Sequence, residues 1–292
     1  QTEQLSPLSS RPTYTETEND LTVKANKRTF IFSKKDGQLK GVSVDNRKIN
    51  FANGPRFIGA RRADRSLDQF YNHDDEKAKE KDRTYSEFPD AAVFTKLDVK
   101  EDGGNLVVTA NYKLGNLDKA QWTINPSGDL ALDYTYNFSG VVDLMGIRFD
   151  YPEDQVISKR WLGAGPYRVW QNRIHGTQYD VWENDYNDPI PGETFTYPEF
   201  KGYFGDVSWM NIQTKEGTIS LTNETPDAYI GVYQPRDGRD RLLYTLPESG
   251  ISVLNVIPPV RNKVNSTDLC GPSSQPKWVN GPQTGRVIFR FM

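Results

Sequence analysis

The chain has 292 residues, of which 36% are hydrophobic and 26% are charged, and its formal net charge at pH 7 is −3. At about 100–200 residues per domain, this length provides one large or two ordinary domains. No apolar run approaches the ~18–20 residues that a membrane-spanning helix needs, and the slightly acidic balance offers no general attraction for nucleic acid. Because Cys270 is the one cysteine, an internal disulfide and a cysteine metal cluster are excluded.

The beginning of the chain is polar. Residues 1–18 contain Pro7 and Pro12 and show no apolar period, which predicts a lead-in or linker. The chain starts at Gln1 without a basic and then apolar leader, so we expect a processed protein or an excised piece. Residues 19–292 are predicted to form a single domain.

Short alternating runs follow, beginning with Leu21, Val23 and Ala25. Such alternation indicates strands with one buried face. The runs Arg28–Ser33 and Leu39–Val44 are separated by a short polar stretch that ends at Gly37, and glycine supplies the positive φ that a tight turn commonly requires. A β-hairpin is predicted here.

The alternation recurs along the rest of the chain at residues 106–112, 130–138, 145–149 and 287–291. No long segment has apolar residues at i, i+3, i+4 and i+7, which argues against a sheet with crossover helices. The sequence therefore predicts an all-β protein built from two large packed antiparallel sheets. The mixed-charge run at residues 74–83 cannot supply a core face and is expected to be a solvated loop or an exposed helical turn.

The segment from Trp161 to Gly176 is the densest in side chains suited to a sugar site. After its glycines and a proline come Arg168, Trp170, Asn172, Arg173 and His175. Aromatic rings pack on the C–H face of a pyranose, and planar amide and guanidinium groups hydrogen-bond adjacent hydroxyls. The alternative is that Trp161 and Trp170 are core aromatics and that Arg173 is a buried structural arginine paired with a carboxylate.

A second polar stretch interleaves carboxylates with aromatic residues and continues to Glu199 and Lys201, which we also predict to contact sugar. Oxygen ligands at this density could hold a structural Ca²⁺ ion, line a sugar cleft, or belong to an exposed loop. The candidate metal ligands are Asp180, Glu183, Asp185 and Asp188. No other cofactor is expected.

Candidates for acid–base chemistry are few. Glycoside hydrolysis employs two carboxylates, and no two of the 39 acidic residues can be paired from the sequence. Of the two histidines, His175 is the better general acid or base, with Glu199 as its candidate partner. The nucleophile-elbow, phosphate-loop, zinc-protease and dinucleotide motifs do not occur.

Several motifs, in the same order, resemble those of the C-terminal domain of glycoside hydrolase family 2 β-galactosidases, from about residue 20 to the end of the chain. The matching stretches are the hairpin that ends in Asp36-Gly37-Gln38-Leu39, Gly54-Pro55-Arg56-Phe57, Arg61-Arg62-Ala63-Asp64, Met145-Gly146-Ile147-Arg148-Phe149, Trp161 to Pro166, and Asp206 to Met210. The sequence departs from the family pattern at Arg168, where the family has Glu, and at Asn172, where it has Asp; Arg173 is retained.

The resemblance implies a galactose mutarotase-like supersandwich of two large antiparallel sheets. It also implies that the catalytic carboxylates lie on a separate, covalently linked hydrolase domain upstream, while this domain contacts the carbohydrate. The family's sugar-contacting C-terminal Trp falls near Trp278, and Arg61, Arg62 and Asp64 lie in its arginine motif.

The expected function is therefore that of a carbohydrate-contacting, non-catalytic domain of a family 2-like β-glycosidase, in an extracytoplasmic (periplasmic or secreted) location. Two alternatives stay open. One is a free-standing aldose mutarotase or polysaccharide lyase that uses His175 and Glu199, and the other is a purely structural or partner-binding sandwich.

Overall fold

The computed structural model describes residues 10–62, 85–185, 202–233, 246–259 and 272–292. Within these ranges the chain forms nineteen strands in two antiparallel sheets, together with two short 3₁₀ turns. This confirms the predicted all-β class. No helix in the described ranges is long and apolar enough to cross a membrane. The charged run at residues 74–83 lies outside the described residues.

Sheet I has the strand order β1-β2-β3-β4-β6-β12-β18-β17, with β5 beside β4 and β7 beside β6. Its strands are β1 (Thr13–Glu16), β2 (Asp20–Ala25), β3 (Arg28–Ser33), β4 (Leu39–Val44), β5 (Arg47–Ile49), β6 (Ala52–Arg62), β7 (Tyr85–Glu87), β12 (Leu144–Asp150), β17 (Tyr229–Val232) and β18 (Ile251–Val256).

Sheet II has the strand order β14-β13-β15-β16-β19-β11-β10-β9-β8. Its strands are β8 (Val93–Asp102), β9 (Asn105–Lys113), β10 (Leu117–Ile124), β11 (Leu130–Val142), β13 (Val156–Gly165), β14 (Gln178–Asp185), β15 (Trp209–Thr214), β16 (Gly217–Asn223) and β19 (Lys277–Phe291). The 3₁₀ turns are Glu153–Gln155 and Pro272–Ser274.

The predicted hairpin is confirmed in β3 and β4, which pair from Arg28↔Val44 onward. The amide of Gly37 donates to the carbonyl oxygen of Ser33 at 2.8 Å, and its φ is +74°. A Cβ at this position would also overlap the ring of Phe94. Glycine is therefore required at Gly37 both by the turn and by the close packing of the turn against β8.

The predicted lead-in differs from the structure at its end. Thr13–Glu16 forms β1, which pairs with β2 from Thr13↔Lys24 to Glu16↔Leu21, although all four of its residues are exposed. An edge strand is held by backbone hydrogen bonds and needs no apolar face, so its sequence shows no apolar period. The domain boundary at residue 18 stays a prediction.

The main core lies between the two sheets. Phe51 stacks on Phe149 with a centroid distance of 4.8 Å, and Phe289 lies 5.0 Å from Phe51 and 5.3 Å from Phe149. Trp122 of sheet II contacts the same cluster and is fully buried. Burying each of these side chains stabilises the fold by about 1.5–3 kcal/mol.

Sheet I carries a second apolar cluster on the face turned away from sheet II, which we call the outer-face cluster. Its strand residues include Ile58 and Ala60 of β6, Leu144 of β12 and Leu254 of β18. Residues from irregular segments cover them: Val169, Trp170, Tyr203, Leu246 and Ile257. Sheet I is thus buried on both faces in this region, and the covering segments position the candidate site.

Candidate functional site

The predicted sugar segment leaves β13 at Gly165 and runs irregularly to the start of β14. It is tied down by a reciprocal pair of hydrogen bonds, in which the amide of Val169 donates to the carbonyl of Tyr203 at 2.7 Å and the amide of Tyr203 donates back at 2.8 Å. A Cβ on Gly202 would overlap the carbonyl oxygen of Val169. Glycine at position 202 is what allows the two chains to approach this closely.

A tight turn follows, because Arg173 donates its amide to the carbonyl of Trp170 at 2.8 Å. Gln171, at the turn, connects three parts of the chain. Its backbone amide donates to the carbonyl of Pro258 at 3.0 Å. Its side-chain Nε2 donates to the carbonyls of Ser273 at 2.9 Å and Gln275 at 2.7 Å. The turn is thereby joined to the segment that leads into β19.

Two of the predicted sugar-contacting residues lie below the surface. Trp170 is 1% exposed and meets Tyr203 edge to face at a centroid distance of 5.7 Å. Arg168 is 3% exposed, with its guanidinium carbon 5.8 Å from the ring centroid of Phe204. Trp170 belongs to the outer-face cluster beneath the turn, whereas Phe204 belongs to the main core. The ring of Trp170 is therefore not presented to a sugar in this structure. This agrees with the alternative interpretation, in which Trp161 and Trp170 are core aromatics.

Burial also keeps the phenol of Tyr203, which packs against Trp170, uncharged. The pKa of the Tyr203 phenol is raised above its usual value, first by burial and second by the neighbouring Tyr85. The phenol therefore stays neutral at any physiological pH and acts in packing rather than in proton transfer.

The remaining residues of the segment face outward. Asn172 is half-buried, and Arg173 and His175 are exposed, so Arg173 is not the buried structural arginine of the alternative interpretation. The Tyr167 hydroxyl donates to the carbonyl oxygen of His175 at 3.0 Å, which fixes the backbone there. The imidazole of His175 hydrogen-bonds to no residue in the described part of the chain.

Trp278 lies at the start of β19, opposite Val141 of β11, and is 72% exposed. Two residues beyond Val141, the Asp143 amide donates to the carbonyl of Ala60 at 2.9 Å, next to the exposed Arg61 at the end of β6. Gln275, bound by Gln171, precedes Trp278 by three residues. These contacts connect the segments that carry five of the predicted residues, which together we call the rim: Arg61, Asn172, Arg173, His175 and Trp278.

The rim side chains include an exposed indole, two exposed guanidinium groups and a half-buried amide. An aromatic face with a few planar polar groups suits a pyranose ring, whose C–H face is apolar and whose edge carries hydroxyls. The backbone of Arg62 ends β6 next to Arg61. Asp64, Glu199 and Lys201 lie outside the described residues.

The predicted metal ligands do not converge on β14. Asp180 pairs with Gly163 and shares a strand face with the half-buried Trp182, whereas Glu183 and Asp185 point to the opposite face. Glu183 lies 4.0 Å from the Arg160 guanidinium. No group of three potential metal-ligating side chains occurs among the described residues, and Asp188 lies outside them.

Sequence reasoning missed three side chains that the structure makes prominent. Gln171 is not among the predicted site residues, although its two side-chain hydrogen bonds join the turn to the segment that leads into β19. Arg56 and Arg148, opposite each other on β6 and β12, line a cavity of about 840 Å³. A signal for the arginines existed in the sequence, because each interrupts the apolar residues of a central strand.

Comparisons with known proteins found a matching family model and solved structures of similar fold. A model of the β-galactosidase small chain family matches residues 24–261. Galactose 1-epimerase from Lactobacillus acidophilus NCFM is similar in structure, with a TM-score of 0.52 and 10% identity over 97% of this chain and 99% of that chain. The GalM/aldose epimerase homologue from C. elegans has a TM-score of 0.43 and 8% identity over 94% and 98% of the respective chains. No curated protein gave a match.

At 10% identity the likeness to the epimerase shows the fold alone, and it confirms the galactose mutarotase-like supersandwich expected from the resemblance. The family match covers most of the chain and includes β3 to β18 in full. The chain therefore belongs to the β-galactosidase small chain family.

Proposed function

We propose that the chain is the carbohydrate-contacting, non-catalytic C-terminal domain of a family 2-like β-galactosidase or β-glycosidase that acts on poly- or oligosaccharides. The observation that carries this proposal is the family match over residues 24–261. In the proposal, the catalytic carboxylates belong to covalently linked hydrolase domains upstream, and the enzyme works outside the cytoplasm. The substrate is a β-linked galactoside or a related sugar.

The rim supports the sugar-contacting part of the proposal. Trp278 presents its indole at 72% exposure, while most of the large aromatic side chains in the described ranges are buried. An exposed tryptophan gains by stacking on the apolar face of a sugar, and the exposed guanidinium groups of Arg61 and Arg173 can donate to sugar hydroxyls. In the proposal, the rim covers one side of a neighbouring active-site mouth.

The outer-face cluster supports the non-catalytic part. The sheet I surface behind the rim is filled by Ile58, Leu144, Trp170 and Tyr203, which carry no group that titrates near neutral pH. General acid–base catalysis needs a titrating side chain within hydrogen-bonding reach of the substrate, held by its neighbours. His175 is the one histidine among the described residues of the rim, and its imidazole has no orienting partner among the described residues.

Heat unfolding of the purified chain tests the proposal. Galactose, lactose, glucuronides and plant-polysaccharide oligomers would be added in turn, with hydrolysis and anomer exchange followed in the same samples. A ligand at 100 times its Kd adds about 2.7 kcal/mol of stability, which is readily visible as a rise in Tm. We expect stabilisation by galactose and lactose without turnover, and loss of that stabilisation in Trp278→Ala.

Trp278→Phe serves as the matched control, because it keeps an aromatic face and should retain most of the binding. Turnover by the isolated chain would overturn the non-catalytic assignment. Absence of stabilisation by any sugar would overturn the sugar-contacting assignment and favour a structural or partner-binding domain.

A second candidate is a free-standing aldose mutarotase or polysaccharide lyase, and it rests on the fold shared with galactose 1-epimerase and on the exposed His175. Proton transfer by a positioned side chain typically supplies ~10²–10⁴-fold in rate. If the chain catalyses anomer exchange or elimination, His175→Ala should lower the rate by at least that factor. A loss of tenfold or less would exclude His175 as the acid or base.

A further inference from the structure

A polar cleft opens on sheet I at a distance from the rim. Two cavities of about 840 and 360 Å³ share Arg56 and Arg148 in their linings. The two arginines face each other directly in the register of β6 and β12. Arg148 lies four residues along β12 from Leu144 of the outer-face cluster, which is roughly 13 Å at the rise of a strand. We call these two neighbouring cavities the cleft.

The cleft exists because β6 changes partners. At its start β6 pairs with β4 through Leu39↔Gly54, and at its end with β7 from Ala60↔Glu87 onward. Between these pairings the chain after β7 runs alongside β6 without joining the sheet, held where the Phe88 amide donates to the carbonyl of Gly59 at 2.7 Å. The smaller cavity lies in the resulting gap, bounded on one side by Gln38 and on the other by Asp90.

The two guanidinium groups are held in place by their neighbours. Arg56 forms an ion pair with Asp150 and donates from Nε to the carbonyl of Asn53 at 2.9 Å. Arg148 forms an ion pair with Glu87 at 2.8 Å and donates from Nη1 to the carbonyl of Glu248. Each arginine has five N–H donors, so donors of Arg56 and Arg148 remain for a ligand.

Two further polar atoms, on residues that line the cleft, are buried without a hydrogen-bond partner in the described chain. The Nε of Arg148 and the hydroxyl of Tyr112 form no hydrogen bond with any described residue. Leaving a buried donor unsatisfied is costly, and such groups mark places where a ligand or solvent completes the hydrogen bonding. Asp90 lines the same cavity, and burial raises its pKa even though Arg56 and Arg148 act in the opposite direction.

The charges of the cleft define the class of ligand. Cationic and acidic side chains occur in equal number among the described residues that line it, five of each. A polyanion would meet the carboxylates, and an apolar ligand would leave the charged groups desolvated and unpaired. A neutral ligand that both donates and accepts hydrogen bonds along its length satisfies both kinds of group.

We infer that the cleft is a second carbohydrate site, which binds a neutral oligosaccharide along the row from Gln38 and Tyr112 past Arg56 and Arg148 to Asp150. The two cavities lie within, or near, the ~300–1,000 Å³ that ligand sites usually occupy. This inference goes beyond the proposed function, because the cleft and the rim share no residue. Either site could bind sugar without the other.

Titration calorimetry with neutral galactan oligosaccharides tests the inference, with polygalacturonate as the anionic comparison. In Trp278→Ala, where the rim has lost its indole, we expect binding of the neutral oligosaccharides to persist. Adding Tyr112→Phe should weaken it about three- to tenfold, the usual effect of losing one hydrogen bond. Gln38→Ala should have a similar effect. Because a neutral ligand releases no counterions, Kd should change little with salt.

Tyr112→Phe suits this test because it removes only a hydroxyl that has no partner, so the variant should fold as well as the parent. Tyr14→Phe, on the exposed edge strand β1, is the matched control and should leave Kd unchanged. Binding that is lost in Trp278→Ala and untouched by Tyr112→Phe would overturn the inference while supporting the proposed function. Absence of binding, or preferential salt-sensitive binding of polygalacturonate, would also overturn it.

Discussion

The outer faces of sheets I and II are closed in different ways. On sheet I, Ile58, Leu144 and Leu254 lie beneath the irregular segment that contains Trp170. On sheet II, the outer face is crossed by ion pairs between neighbouring strands. In one of these, Arg290 of β19 binds Asp129 at the start of β11 through two N–H donors, at 2.6 and 2.8 Å. Both sheets share the same inter-sheet core.

The difference shows why irregular segments that contribute to the candidate sites pack on sheet I. In β10 of sheet II, buried and more exposed residues alternate from Ala120 to Ile124, as expected of a strand that faces solvent on one side. In β12 of sheet I, Leu144 to Ile147 are all buried. A sheet covered on both faces has irregular segments packed on it, and these supply the turns, gaps and clefts that can bind a ligand.

The largest expected effect concerns the core that the two outer faces share. Phe149→Ala removes a fully buried ring that contacts Phe51, Trp122 and Phe289. Truncating a buried Phe typically costs about 3–5 kcal/mol, because apolar burial is lost and a cavity remains. Urea unfolding followed by tryptophan fluorescence should show this decrease in the free energy of unfolding, with all probes changing together.

Phe149→Leu is the matched control, since it retains most of the apolar volume and should cost clearly less. A cost below 1 kcal/mol for Phe149→Ala, on the scale of surface substitutions, would mean that the inter-sheet cluster does not dominate stability. The contributions of the two outer faces to the free energy of unfolding would then have to be measured separately.

A smaller effect is expected where the covering segment is attached to sheet I. Gln171→Ala removes the side-chain hydrogen bonds to the carbonyls of Ser273 and Gln275. At about 0.5–1.5 kcal/mol per hydrogen bond, the loss should be about 1–3 kcal/mol. Hydrogen exchange should report it locally: amides of residues 167–176 and 273–277 should lose protection, while those of β9 to β11 keep theirs.

The comparison variant is Gln178→Ala, whose exposed side chain makes no hydrogen bond in the described chain and should leave exchange unchanged. Uniform loss of protection in Gln171→Ala across both sheets would contradict a separately attached segment. It would instead show that the outer-face cluster and the inter-sheet core unfold as one unit.

Much of the fold could be predicted because local pattern and global packing agree in sheet II and in the hairpin of sheet I. The runs Arg28–Ser33 and Leu39–Val44 are found as β3 and β4 with the predicted bounds. The last strand was predicted only at residues 287–291, whereas β19 begins at Lys277. Its first half is held by pairing with β11 and is largely exposed, so it shows no apolar alternation.

The site was less predictable because it depends on contacts between distant parts of the chain. The sequence indicates only that Trp170 and Arg173 belong to one segment suited to a sugar site. It does not show that Trp170 is buried against sheet I while Arg173 is exposed. Gln171 binds residues more than 100 positions away. The facing pair Arg56 and Arg148 depends on the register of β6 and β12, which single-strand patterns do not contain.

The smallest effect is expected on the outer face of sheet II, where Asp129→Asn would replace the carboxylate that binds Arg290. The Arg290 hydrogen bond lowers the pKa of Asp129 in the folded protein, against the opposing effect of burial. A carboxyl whose folded pKa is depressed stabilises the protein above its unfolded pKa of about 3.9 and loses that contribution as pH falls through the folded pKa. At neutral pH the variant should be less stable by about 1 kcal/mol or less, as is usual for a partly exposed ion pair.

The decisive measurement is how the stability difference between the parent and Asp129→Asn changes as the pH falls. Urea unfolding of parent and variant should show the stability difference intact at pH 6 and shrinking progressively below about pH 4, because the parent's carboxylate is then protonated. Asp118→Asn removes an exposed carboxylate from β10 and controls for the change in net charge. A difference that stays constant to low pH would mean that the Asp129 carboxylate contributes packing rather than charge. The outer face of sheet II would then resemble that of sheet I more closely than its ion pairs indicate.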